Sequence, residues 1–138
     1  MGMKLTKLLD AMETAEDSFH IYYDTKNEKL VYLEAYGFSR IENENLREQI
    51  ENEPKRFLRI PTKFMHEYKA IESFVNALPE DEVRRELAFA IQGKGAFRRF
   101  KQTIRYHGME QQWYTHREKI FREVAVRWCQ EHGVDFEE

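Results

Sequence analysis

The segment between Gly93 and Tyr106 has the residue types best suited to binding a ligand. It contains five cations and no acidic residue: Lys94, Arg98, Arg99, Lys101 and Arg105. Free backbone N–H groups and the positive end of a helix dipole favour phosphate where cations surround the start of a helix. The segment is not a Walker loop, which needs Gly-x-x-x-x-Gly-Lys-Ser/Thr after a strand. We favour a glycine-rich turn between two helices followed by a solvated face; the alternative, on which our function hypothesis rests, is an anion or nucleic-acid site.

Helical periodicity assigns the aromatic residues of this segment to the core. At about 100° per residue, Phe97, Phe100 and Ile104 share one inward face. Arg98, Lys101 and Arg105 fall on one flank of that face, and Arg99 lies nearly opposite it. The pattern therefore predicts that the aromatic rings pack inside the protein and do not stack on bases.

Arg117 is unusual because it falls inside the apolar stripe of the last predicted helix. The stripe consists of Trp113, Ile120, Phe121, Val124 and Trp128. A buried guanidinium would cost several kcal/mol unless it is paired. We favour an internal partner such as Glu67 or Glu72, or a packed stem whose charged end reaches water. The alternative is contact with a ligand carboxylate or phosphate.

The sequence contains no recognisable catalytic or metal-binding constellation. His66-Glu67 lacks the second histidine of a zinc-protease helix. Cys129 and His132 are spaced to touch on a helix, but no orienting group accompanies them. We therefore expect no metal and no cofactor, and we favour a binding domain over an enzyme.

Residues 4–13 are predicted to form an amphipathic helix, followed by a β-hairpin. The β-prone runs 20–23 and 30–33 flank a polar, turn-rich connector. Residues 42–53 are acidic and indicate a solvated helix or loop. Residues 57–60 are predicted to form a third strand that stops at Pro61.

From Lys63 onward the sequence predicts four helices. The first should bury a stripe at helical spacing: Phe64, Tyr68, Ile71, Val75 and Leu78. The second opens at Glu80 to Glu82. The third and fourth each end in His-Gly followed by an apolar residue, which is typical of a left-handed glycine cap.

Length and composition favour one α+β domain over residues 1–138. A small antiparallel sheet, formed by the hairpin and third strand, would belong to a helix-plus-β part over 1–62, and a four-helix part would cover 63–138. The net charge is −3, so polyanion binding would need a local patch. One cysteine, no apolar run of about 20 residues and no signal-peptide pattern predict a cytoplasmic protein without membrane association.

Three sequence blocks resemble an uncharacterised bacterial family, protein family 0158. They are the run 58–64 followed by His66-Glu67-Tyr68, the block 93–101, and the Trp113-Tyr114, Arg117 and 126–129 block before Gly133. Together they cover about residues 58–136, and the glycine-lysine-glycine block is the most specific. The resemblance implies a bacterial cytoplasmic protein and supplies no reaction or cofactor.

Our leading hypothesis is a non-enzymatic domain that binds a phosphate-bearing ligand, nucleic acid among the candidates, through the basic segment. The alternative is a protein–protein adaptor or small homodimer, in which the basic flank contacts an acidic protein surface. Phe89, away from the predicted buried stripe of its helix, would then belong to the interface or pack under the hairpin.

Overall fold

A computed structural model describes residues 2–15, 19–34 and 40–138. The chain divides into two compact units. The first unit comprises residues 1–64 and 124–138, and the second comprises 65–123. The first boundary lies close to the predicted division after residue 62, but the end of the last helix belongs with the N-terminal part. That a single domain covers 1–138 stays a prediction.

The first unit contains a three-stranded antiparallel sheet with strand order β3-β2-β4. Its elements are β1 (Met3–Lys4), α1 (Leu5–Thr14), β2 (Phe19–Asp24), β3 (Lys29–Glu34), α2 (Arg40–Asn52), β4 (Phe57–Arg59) and β5 (Phe136–Glu137). The predicted hairpin and third strand are confirmed, and the acidic segment is a helix. Residues 35–39 of the connector lie outside the described residues. The sequence did not predict the short parallel pair of β1 with β5.

The core of the first unit forms around the apolar face of α1. Leu5, Leu8 and Met12 are fully buried because they recur at helical spacing on one side of the helix. Residues from β2 and from the end of the last helix complete this core. Within it, the rings of Tyr23 and Trp128 meet edge to face at 6.5 Å.

The second unit is helical. It contains most of α3 (Lys63–Ala77), all of α4 (Glu82–Ala90) and α5 (Ala96–Tyr106), and the first part of α6 (Glu110–Glu131). Phe74, Phe100 and Trp113 form an aromatic core with ring centroids 4.8–5.9 Å apart. The four predicted helices are therefore confirmed, and with the sheet they give an α+β fold.

The predicted glycine caps are present at the ends of α5 and α6. Gly108 and Gly133 have φ values of 66° and 64°. The N–H of Met109 donates to the carbonyl of Ile104, and that of Val134 donates to Cys129. These bonds close both helices in the manner that the His-Gly-apolar pattern predicts.

The predicted buried stripe of α3 is wrong at its N-terminal end. Phe64 is 79% exposed and Tyr68 is 39% exposed, whereas Ala70, Ile71, Phe74 and Val75 are buried. Periodicity gives the direction of a side chain but not how far along the helix the core extends.

In the part of the chain that the structure describes, no helix combines the length and the apolar character needed to span a bilayer.

Candidate nucleic-acid interface

The turn before α5 requires glycine at two positions. Gly93 and Gly95 have φ values of 73° and 77°, in the left-handed region that L side chains rarely adopt. A Cβ on Gly95 would also lie 2.9 Å from Nη1 of Arg99. The turn thus brings a guanidinium close to the N-terminus of α5, whose first turn contains no acidic residue.

Arg99 is engaged by the backbone at the end of α4. Its Nε donates to the carbonyl of Ala90 at 2.8 Å, and its two terminal nitrogens donate to the carbonyls of Gln92 and Lys94. The last carbonyls of a helix have no partner within it, so this guanidinium supplies the missing donors. The sequence also assigns Arg99 to the anion site, which stays a prediction; in the structure its three hydrogen bonds hold the turn in place.

The other four cations of the segment are exposed. The side chains of Lys94, Arg98, Lys101 and Arg105 make no hydrogen bond or ion pair with any residue in the ranges 2–15, 19–34 and 40–138. By contrast, Arg84 of α4 contacts Glu80 at 3.6 Å. We call these four residues the basic face. Because nothing described neutralises them, their charge is available to an external anion.

Phe97 borders the basic face and, contrary to the prediction, is not buried. It is 39% exposed, whereas Phe100 and Ile104 are buried as expected. Its ring lies 6.3 Å from that of Tyr68, with the two planes at 87°. Tyr68 in turn donates its hydroxyl to the carbonyl of Ile91 at 2.9 Å. The exposed ring of Phe97 therefore adjoins unpaired cations and packs against Tyr68, which is itself fixed by a hydrogen bond.

Comparison with known proteins assigns the chain to a family. A sequence model described as "Uncharacterised protein family (UPF0158)" matches residues 1–137. The chain belongs to this family. The match includes the first half of the chain, beyond the blocks from which the resemblance was drawn.

A curated relative supports the same assignment. The UPF0158 protein PA5073 of Pseudomonas aeruginosa is 29% identical over 87 residues, which is 62% of this chain and 57% of the relative. The matched stretch therefore spans little more than half the length of that relative. No solved structure shows significant similarity. The family and relative carry no assigned reaction or ligand in their descriptions.

Arg117 in this UPF0158 member has the internal partner that the sequence favoured. Its Nε lies 3.2 and 3.3 Å from the two carboxylate oxygens of Glu67, and its Nη2 lies 3.2 Å from Oε2. Its guanidinium carbon stands 4.7 Å above the ring centroid of Phe121. The carboxylate and the ring account for an arginine in this stripe without a ligand.

Sequence reasoning missed a contact between Ser73 and His116, which lie on α3 and α6. Ser73 Oγ and His116 Nε2 are 2.9 Å apart, and His116 also lines an open surface depression of the second unit. Burial lowers the pKa of His116, and nearby Lys119 acts in the same direction. No local sequence pattern could reveal this pair, because 43 positions separate its members.

The Ser73–His116 pair lacks the other parts of a nucleophilic site. Ser73 lies inside α3, where backbone N–H groups are bonded within the helix and are not free to stabilise an oxyanion. No described residue hydrogen-bonds to the other ring nitrogen of His116, so nothing described orients the imidazole as a base. We interpret the contact as structural.

Cys129 and His132 do not form a reactive pair. Cys129 is fully buried, and burial raises the pKa of its thiol. The Nδ1 of His132 contacts the carbonyl oxygen of Trp128 at 2.9 Å. A neutral buried thiol is a poor nucleophile.

Among the described residues, no cluster of three or more His, Cys, Asp or Glu side chains could hold a metal ion.

Proposed function

We propose that the second unit binds a phosphate-bearing polymer, with nucleic acid as the ligand, through the basic face. The observation that carries the proposal is the absence of described ion-pair partners for Lys94, Arg98, Lys101 and Arg105. Like charges near one another on a helix surface repel weakly, and a bound counter-anion removes that repulsion. A phosphodiester backbone supplies such charge at regular spacing.

The fold supports this proposal by presenting the cations on a rigid element. Arg98, Lys101 and Arg105 occupy one side of α5, whose buried side packs into the core through Phe100 and Ile104. Lys94 precedes the helix, and the hydrogen bond from Arg99 to its carbonyl fixes its backbone. Cations on an ordered backbone lose less conformational entropy on binding than cations on a mobile loop.

The test is a fluorescence-anisotropy titration of labelled DNA and RNA, single- and double-stranded, at low and moderate salt. The informative variant is Arg98→Ala/Lys101→Ala/Arg105→Ala, which leaves the turn-holding Arg99 intact. The matched control is Lys4→Ala/Lys7→Ala/Lys29→Ala, which removes the same charge from exposed lysines of the first unit. Circular dichroism would establish that both variants are folded.

We expect micromolar binding by the wild type that weakens with salt, is lost in the α5 variant and is retained in the control. An equal loss of affinity in the two triple variants would show that binding depends on net charge alone and not on the basic face. An absence of binding at low salt would refute the proposal.

A protein partner is the second candidate, favoured by exposed aromatic residues. Phe89 on α4 is 81% exposed, and Tyr114 on α6 is also exposed. The partner would be a second copy of the chain or an acidic protein surface that faces the basic face. A concentration-dependent mass that reverts to the monomer in Phe89→Ser would support the homodimer, and a constant mass would exclude it.

The compartment that we propose is the cytoplasm. Cys129 is a free, buried thiol, which is compatible with a reducing environment.

A further inference from the structure

Phe97 lies at the border between the buried side of α5 and its cationic side. At about 100° per residue, Ile104 projects about 20° to one side of Phe97. On the other side, Lys101, Arg105 and Arg98 project at about 40°, 80° and 100°. Phe97 is therefore partly covered by the core on one side and adjoins unpaired cations on the other.

The Phe97 ring is held in this position before any ligand binds. Tyr68 contacts it at an interplanar angle of 87°, and the Tyr68 hydroxyl is bonded to the Ile91 carbonyl. A preordered aromatic ring costs little conformational entropy when a flat ligand stacks on it. Aromatic rings beside a basic groove are the elements with which proteins bind single-stranded nucleic acid.

The spacing along the helix matches one nucleotide. Lys101 lies four residues after Phe97, which is a rise of about 6 Å along the axis. A base stacked on Phe97 would place its phosphate within reach of the long side chains one turn further along α5. A duplex offers the same phosphates, but its bases are stacked on one another and are not available to the ring.

We propose that this surface binds single-stranded nucleic acid, with one base stacked on Phe97 and the adjacent phosphates on Lys101, Arg98 and Arg105. This inference rests on the proposed function and adds the strand class and the stacking residue. It also gives a role to the one exposed aromatic side chain of α5 that sequence periodicity assigned to the core.

The experiment compares oligothymidylate and oligouridylate of about 16 nucleotides, the upper end of known site sizes, with a duplex of equal length. The variants are Phe97→Ala, Phe97→Leu and Phe97→Trp. Leucine keeps an apolar contact with Tyr68 but removes the aromatic face, and tryptophan enlarges that face. Tyr106→Ala is the matched control, because Tyr106 is 83% exposed on the same helix and projects about 180° from Phe97.

We expect the wild type to prefer the single strands. Phe97→Ala and Phe97→Leu should weaken single-strand binding about 5- to 150-fold, which corresponds to the loss of one stacked base. Phe97→Trp and Tyr106→Ala should bind within about twofold of the wild type. Duplex binding should not respond to any of the four substitutions.

The two proposals can fail separately. If the α5 charge variant loses binding but Phe97→Ala does not, or if the duplex is the preferred ligand, the stacking inference is wrong and the proposed function stands. If Phe97→Leu binds single strands as tightly as Phe97→Trp and the wild type do, the ring acts only as an apolar contact, which also overturns stacking. If the wild type binds no nucleic acid, both proposals fail. Thermal melting of each variant would identify any that is unfolded.

Discussion

Adjacent arginines on α5 have different roles. Arg98 points away from the helix and is unpaired within the described residues, whereas Arg99 donates to three carbonyls around the end of α4. The sequence predicted an exposed position for both. It could not predict the difference, because the carbonyls reach Arg99 only through the left-handed turn at Gly93 and Gly95.

Exchanging either arginine for alanine should separate stability from binding. Arg99→Ala should lower the free energy of unfolding by about 1–3 kcal/mol, because three carbonyls lose a charged donor. Arg98→Ala should change it by less than about 0.5 kcal/mol, as is usual for surface positions. Urea unfolding measures both. Equal stability of the two variants would contradict the capping role of Arg99.

The ion pair between Arg117 and Glu67 can be tested by a double-mutant cycle with Arg117→Met and Glu67→Gln. Methionine keeps much of the apolar stem above Phe121, so the cycle isolates the charged interaction. We expect a coupling energy of about 1–2 kcal/mol, because both side chains are largely shielded from water. Independent effects of the two substitutions would reopen the interpretation of Arg117 as a ligand contact.

At the scale of elements, Asp24 joins the hairpin turn to β4. Its carboxylate accepts hydrogen bonds from Nε and Nη2 of Arg56, both at 2.8 Å. It also accepts from the backbone N–H groups of Lys26 and Asn27 and from the Asn27 amide. One buried side chain thus closes the turn between β2 and β3 and fixes the residue that precedes β4.

Acid should weaken this junction. The Arg56 guanidinium, through its hydrogen bonds, holds the pKa of Asp24 well below its usual range. Because the folded pKa lies below the unfolded value of about 3.9, the contribution is fully present above about pH 5 and is lost as the pH falls toward the folded pKa. The urea midpoint of the wild type should therefore fall on acidification.

Asp24→Asn should lower the urea midpoint near neutral pH and reduce its further fall in acid. Glu53→Gln is the control, since Glu53 pairs with the same arginine at 2.9 Å but is exposed. It should have the smaller effect, because exposed ion pairs contribute little. A larger effect at Glu53 would show that Asp24 does not organise the junction.

Local patterns predicted most elements, and tertiary contacts determined the rest. The hairpin, the third strand and the His-Gly caps follow from period-two runs and from glycine after a helix. The β1–β5 pair has two residues per strand and joins the ends of the chain, so no local signal could show it. Phe97 is more exposed than predicted. Helical periodicity gives the direction of its side chain, whereas its exposure depends on how much of the ring Tyr68 covers.

At the scale of the whole molecule, a net charge of −3 must be reconciled with polyanion binding. The overall field repels nucleic acid, but at physiological ionic strength charges more than about 8 Å apart are largely screened. Binding should therefore depend on the cations in contact with phosphate and little on charges elsewhere. The control triple variant changes the net charge from −3 to −6 without touching α5.

The slope of the salt dependence should report the number of contacts between cations and phosphates. If all four residues of the basic face contact phosphates of a single strand, log K should fall with log salt at a slope of about −3. Arg98→Ala/Lys101→Ala should bring the slope to about −1.5, since each lost contact removes about 0.7. Lys4→Ala/Lys7→Ala/Lys29→Ala should keep the wild-type slope despite its more negative charge. A slope that changes equally in both variants would mean that the long-range field attracts the ligand and that α5 has no defined contacts with phosphate.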